Sequence, residues 1–357
     1  MAASSFRFCA IGLGIGLGIG LALGASCAQA SPVLTVFDVP DAHGATVVNA
    51  VNDAGDIAGY YANKKGAHGF IRSADGHYTT FDIAKKSDTY GYAINGAGTV
   101  TGWYTPRATN IPHGFVRQAD GAVTLFDPPD ATGTFGTEPF LISDDGTVAG
   151  TYGDAGRMLH GFLRAPDGTI TVVDVPGAGT GVNQGTYLAN IDANDDTTGY
   201  STDDDFTTHG FVRKAGGKLT TFDVPDADGA AGEGINTKGS VAGFSTDANE
   251  VTHGFLRTAK GAFTVFDAPN SGTIAGQGTI GYGINRRGEI SGYAIDQGFA
   301  YHGFLRGKSG TMTAIDADGA GTGGNQGTVV QAINDSGEAV GLVIDAHGTF
   351  HGFFRTP

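Results

Sequence analysis

Hydrophobic and polar residues alternate along this chain in short runs, and the runs recur. Leu34-Thr35-Val36-Phe37-Asp38 is one, and Thr79-Thr80-Phe81-Asp82, Thr124-Leu125-Phe126-Asp127 and Thr264-Val265-Phe266-Asp267 repeat it. A period of two over so few residues predicts short β-strands with one face turned inward. Turn residues separate the runs, as at Asp75-Gly76, Asp120-Gly121 and Asp167-Gly168.

The runs belong to a long repeat. The pentapeptide His-Gly-Phe-x-Arg begins at His68, His113, His160, His209, His253, His302 and His351, at steps of 45, 47, 49, 44, 49 and 49 residues. Steps of this length fit one four-stranded blade of a β-propeller, whose repeats run ~40–50 residues. The first strand of each unit ends in Ile-Asn or a variant: Asn52, Asn95, Ser143, Asp192, Asn236, Asn285 and Asn334 stand at its end. A four-residue Asx turn follows, with Gly fourth in six copies and Asp195 in the other. The second strand carries a Gly-aromatic step such as Gly59-Tyr60 or Gly102-Trp103, the third is the pentapeptide, and the fourth is Thr-x-Phe-Asp or a variant of it.

In the first six copies the pentapeptide His stands fourteen residues before the Asp that ends the fourth strand, as in His68–Asp82 and His302–Asp316. A hairpin folded at its midpoint sets these two opposite each other. The same register sets Phe70 opposite Thr80, Arg72 opposite Tyr78, and Gly69 opposite Phe81, whose ring covers the bare backbone. The seventh copy stops at Arg355-Thr356-Pro357 without a fourth strand, whereas Leu34–Asp38 is a fourth strand with no third strand before it. Pairing the two predicts an all-β, seven-bladed propeller closed by its own ends, with Asp38 beside His351.

The Ile-Asn-Asp-x-Gly turn and the His-Gly-Phe strand resemble those of the HAF-repeat extracellular proteins, across Val33 to Thr356. Two positions depart from that pattern: Gly replaces Ala in the pentapeptide, and Arg follows where the family often shows Trp. The resemblance implies export and a propeller-like repeat; it implies no defined activity.

Composition sharpens this picture. Gly makes up 61 of 357 residues without a triplet period, which excludes a collagen-like rod and argues against long helices. Residues 1–30 read as an export signal: Arg7, an apolar run from Ile11 to Leu23, and an Ala28-Gln29-Ala30 cleavage site. Residues 31–357 are then a single secreted domain, extracellular or periplasmic, and monomeric. Cys9 and Cys27 both lie inside the signal, so Cys nucleophiles, Cys-zinc sites and disulfides are excluded from the exported protein. A formal net charge of −15 with no basic cluster disfavours nucleic acid and anionic lipid. The apolar run is too short and Gly-rich to span a membrane.

The repeated His, Asp and Arg residues read as structural. Third strands of neighbouring units sit roughly 14 Å apart, too far to share a metal with ~2.1 Å bonds. Each His then ties to the Asp of its own unit, and each Arg is expected to donate to its own Asx turn. Function belongs where the copies differ. One such place is the extended loops between units, with Asn183-Gln184, Gln277 and Asn325-Gln326, whose amides suit a hydroxyl-rich ligand. The other is the innermost strand. Three residues before the turn stand Asn49, Tyr92, Phe140, Ala189, Glu233, Tyr282 and Gln331, and two residues earlier still come Tyr90, Glu138 and Tyr187. Aromatic rings beside amides and carboxylates suit a sugar-binding floor.

Three functions follow. The first is a non-enzymatic module binding a glycan or an extracellular protein surface through the loops of one face, without a cofactor. The second is a polysaccharide hydrolase or lyase using Glu138 and Glu233 as its carboxylate pair, which requires them roughly 5–9.5 Å apart. The third is a calcium-stabilised structural protein, with Asp316 and Asp318, Asp226 and Asp228, or Asp203 to Asp205 supplying hard oxygen ligands. No H-E-x-x-H or G-x-S-x-G motif favours a named enzyme class.

Overall fold

The computed structural model of the protein describes residues 32–357, so the expected export signal lies outside the described residues. Those residues hold 28 β-strands and no α-helix. No helix among them is long and apolar enough to cross a membrane. Each unit is an antiparallel meander. In the fourth, Gly185–Ile191 pairs with Thr197–Thr202, that strand with Thr208–Arg213, and that one with Leu219–Phe222.

The register of the third and fourth strands follows from the pentapeptide. Gly69 faces Phe81, Phe70 faces Thr80 and Arg72 faces Tyr78. The Phe81 ring lies against the Gly69 backbone, where any side chain would collide with it. Every pentapeptide His bonds through Nδ1 to the Asp expected opposite it, at 2.6–3.1 Å. The tie is cross-strand and stays within one unit, except that His351 reaches Asp38 at 2.9 Å. His209 also meets Asp203 on its other side, and Asp223 and then Asp203 hold its pKa above the usual imidazole range against the opposing effect of burial.

The hydrophobic core lies at the seams between units. The pentapeptide phenylalanines, from Phe70 to Phe353, are at most 2 % exposed. One cluster joins Ala58, Ile71 and Phe81 of one unit to Ile94, Val100 and Phe115 of the next. Burying such a ring contributes ~2–3 kcal/mol, so seam packing gives these small sheets stability that none has alone. The first strands follow one another in space as in sequence, and Gly327–Ile333 lies against Ala45–Val51. Single parallel bridges join several units, as between Tyr301 and Gly327. Gly327 has φ +127° and backs onto the Tyr301 carbonyl, so both conformation and space require glycine there.

The first and last of the described strands meet. Leu34–Phe37 pairs antiparallel with Phe350–Arg355, Leu34 facing Arg355 and Phe37 facing Gly352. The Phe37 ring packs on Gly352 as Phe81 does on Gly69.

The arginines differ from expectation. They do not reach the Asx turns, whose side-chain oxygens already accept backbone N–H groups, as Asn95 Oδ1 does from Ala97 and Thr99. Instead Arg72, Arg117, Arg164, Arg257 and Arg306 cross the seam onto the fourth-strand ring of the preceding unit; ahead of Arg213 and Arg355 that strand ends in Val173 and Ile315 and offers no ring. Arg117 lies 5.0 Å from the Phe81 centroid, Arg164 5.1 Å from Phe126, and Arg306 4.7 Å from Phe266. Arg72 covers Phe37 at 5.3 Å in the same way, so Leu34–Phe37 is treated by its neighbour as an ordinary fourth strand.

A relay of amides links the Asx turns. Asn236 Nδ2 donates to the Asn285 carbonyl at 2.9 Å, Asn285 to Asn334, Asn334 to Asn52, Asn52 to Asn95, and Asn95 to Ser143. It breaks where the sequence changes. The Ser143 hydroxyl turns to Asp145 instead. Asp192 accepts from Asn194 and Asp196 through Oδ1, which leaves Oδ2, where the amide nitrogen would be, buried without a partner. Burial holds the Asp192 carboxyl above the usual carboxylate range. Asp192→Asn is therefore expected to stabilise the fold by about 1 kcal/mol. A raised native pKa means that the wild type loses stability as pH rises, so the gain should widen with pH. Thermal melts from pH 4 to 8 check this, and a flat or reversed difference refutes it.

Candidate functional site: the central cavity

Every first strand carries a β-bulge against its second strand, always at the position three before the turn. The pairing skips between Val48 and Ala50, Gly91 and Ala93, Pro139 and Leu141, Leu188 and Asn190, Gly232 and Gly234, Gly281 and Gly283, and Val330 and Ala332. The skipped residues are Asn49, Tyr92, Phe140, Ala189, Glu233, Tyr282 and Gln331. A bulge re-aims its side chain out of the strand's alternation. All seven line one central cavity of about 380 Å³. The glycine of the Gly-aromatic step is the other half of the device. A methyl group on Gly243 would run into the Ala231 carbonyl, and one on Gly59 into the Val47 carbonyl.

One side of the cavity is an aromatic arc. Tyr92 lies 5.2 Å from the Trp103 ring and 5.1 Å from Phe140, and Phe140 lies 5.3 Å from Tyr187. Tyr187 in turn stacks on Tyr200 at 5.0 Å. Trp103 and Tyr200 belong to second strands and hold the arc from behind. Elsewhere the wall carries Glu233, Tyr282, Gln331 and Asn49. Asn49 donates its amide to the Gly91 carbonyl at 2.9 Å, and Gln331 Oε1 is buried without a partner. The mouth is formed by the Asx turns and includes Asp53, Asp144, Asp192 and Asp335, the last paired with Arg286 at 2.8 Å.

Burial sets the protonation of this wall. It pushes the Glu233 carboxyl up to about 8 and the Tyr92 hydroxyl up to about 12. Tyr187 lies above the usual phenol range through burial, then through Tyr92. Tyr282 lies well above it through Tyr92 first and burial second. Near pH 7 the wall thus presents neutral phenols and a carboxylic acid that ionises only when charge is stabilised there.

Of the expected site residues, Tyr92, Tyr187, Tyr282, Gln331 and Glu233 come together here. Glu138 does not. It precedes the bulge by two residues, opposite Thr151, outside the cavity lining, with its carboxyl pushed up to about 7 by burial. The expected carboxylate pair is therefore not assembled in this cavity. The loop glutamines face inward. Gln184 accepts from Gly181 N and donates to the Asp204 carbonyl, Gln277 bridges Ile274 N and the Gln297 carbonyl, and Gln326 bridges Gly323 N and the Ala346 carbonyl. Their amides brace the loops and offer a ligand little. Asn183 and Asn325 are exposed at positive φ, and Asn325 accepts from the Tyr301 hydroxyl. Asp316 bonds His302, Asp318 is exposed, and no three acidic, His or Cys side chains gather in metal-binding geometry among the described residues.

No family model and no curated protein matches the chain. Solved structures do. Virginiamycin B lyase from Staphylococcus aureus superposes with a TM-score of 0.58 at 14 % identity, over 92 % of this chain and 100 % of that one. The BP39L lectin from Burkholderia pseudomallei gives 0.52 at 9 % identity, over 88 % and 96 %. Puromycin hydrolase gives 0.56 at 15 %, over 88 % of this chain and 53 % of that chain. At such identities the likeness concerns the fold alone, a β-propeller.

Proposed function

We propose that the chain is an exported, non-enzymatic seven-bladed β-propeller, closed by Leu34–Phe37, that binds a saccharide in its central cavity. The observation that carries the reading is the cavity wall: an arc of the bulge residues Tyr92 and Phe140 with Tyr187, and with it Glu233, Gln331 and Asn49 from the other bulges. Aromatic faces pack against the C–H faces of a sugar ring, and amide and carboxyl oxygens accept from its hydroxyl groups. The volume falls within the ~300–1,000 Å³ usual for small-ligand sites. A lectin stands among the structures of similar fold, which supports saccharide binding without placing it. The amides left free in the loops are few, which favours the cavity over the loop face. Cleavage of a polysaccharide is less well supported, because only one of the two carboxylates stands in the cavity wall.

A glycan array probed with the full chain tests this. Binding is expected to fall at least tenfold in Tyr282→Ala and to persist in the Asn183→Ala, Asn325→Ala double variant. Loss in the double variant alone moves the site to the loops. A blank array together with turnover of a polysaccharide overturns the reading.

A further inference from the structure

We infer that the saccharide carries a protonated amine, and that its ammonium group seats against Glu233. This rests on the cavity being a saccharide site and adds the ligand's charge. Glu233 is the only acid among the seven bulge residues, and it has no hydrogen-bond partner among the described residues. The one cation among the cavity's lining residues, Arg286, sits at the mouth and is already paired with Asp335. The acid therefore has no counter-charge of its own inside the cavity.

Its surroundings suit an organic cation. Tyr92 and Tyr282 share the wall with it, Tyr187 lines the same cavity, and its charge is felt by all three and by Tyr200 and Tyr293 behind them. A carboxylate among aromatic faces attracts an ammonium group by charge and by the ring quadrupoles together. It suits a divalent metal ion poorly, since that needs several hard oxygen ligands in place of rings. The amides point the same way. Asn49 has committed its N–H₂ to Gly91, while Gln331 keeps an acceptor oxygen free. The free Gln331 oxygen and an ionised Glu233 both accept hydrogen bonds, and an ammonium group, all of whose N–H groups donate, answers both. Asp53, Asp144 and Asp192 at the mouth add a negative potential that draws cations in.

Binding then moves a proton. The empty cavity holds Glu233 as the neutral acid at pH 7, because burial raises its pKa. An ammonium group requires the carboxylate, so each bound amine releases up to one proton from Glu233 to the buffer. The groups facing Glu233 are the five tyrosines named above, which stay protonated at this pH.

The test uses the full chain and matched sugars: chitotriose, galactosamine and mannosamine, each beside its N-acetylated form. Calorimetric titration at pH 7, in two buffers of different ionisation enthalpy, reads affinity and protons released. The free amines are expected to bind at least tenfold more tightly than their acetylated forms, with measurable proton release. Glu233→Gln is expected to erase both the preference and the release. The proton count on the wild type stands even if the variant folds poorly. Equal or tighter binding of the acetylated sugars overturns the amine and leaves the saccharide site standing. No binding by any sugar of any pair overturns both.

Discussion

A chain that begins at Val39, lacking Pro32 to Asp38, is expected to lose at least 10 °C in melting temperature or to aggregate when expressed. The missing residues are a whole strand. Its ladder with Phe350–Arg355 disappears, and so does the Asp38 partner of His351. Phe37 leaves a cluster of rings with Phe70 at 6.5 Å, Tyr78 at 6.2 Å and Phe354 at 6.2 Å, and Arg72 loses one of the faces it covers. Losing this half-buried ring costs up to about 3 kcal/mol, and the ladder adds roughly 1 kcal/mol per hydrogen bond, against a total stability of ~5–15 kcal/mol. Phe350–Arg355 would also become an open edge, which invites pairing with other chains. A synthetic peptide spanning residues 32–40, added in excess, should restore the melting temperature. A truncated chain that melts like the full one would show that this strand contributes nothing to closure.

Glu233→Gln should stabilise the ligand-free protein above neutral pH and leave it almost unchanged near pH 4. The native carboxyl titrates at about 8 because it is buried, against 4.5 for its ordinary value. The folded state thus binds the proton more tightly than the unfolded chain does. Wild-type stability from this group is full below the ordinary value and is lost as pH rises through the native one. Glutamine does not titrate, so the difference grows over that window. It should reach on the order of 2–3 kcal/mol by pH 9, less than the full shift implies because the carboxyl keeps some contact with cavity water. Urea denaturation of both proteins from pH 4 to 9 measures it. Parallel curves would mean that the carboxyl is solvated and that the cavity is wetter than its walls imply.

Much of the frame was legible in the residues because it is local or strictly repeated. Fourteen residues from His68 to Asp82 fix a hairpin register, and an orphan Leu34–Asp38 run finds the only unit that lacks it. The variable column from Asn49 to Gln331 was visible as well. Its aim was not, since a bulge breaks the alternation by which facing is read. The trace it leaves is the glycine opposite, and that glycine also looks like ordinary strand punctuation. Arg117 was misplaced because its partner, Phe81, lies in the preceding unit, where pairing within a hairpin says nothing. The relay from Asn52 to Asn95 escaped for the same reason, its acceptor being main chain 43 residues on. Gln184 and Gln326 looked available because a polar loop reads alike whether its amides point in or out.

The bulges also bear on how such a protein changes over time. Each cavity residue hangs from its own small sheet, at a point the strand ladder passes over. Replacing Ala189 or Gln331 rewrites one letter of a seven-letter word while the spelling of the sheets stays put. A scaffold of this kind can trade one guest for another by single, largely independent steps, and its selectivity is free to drift while its architecture is conserved.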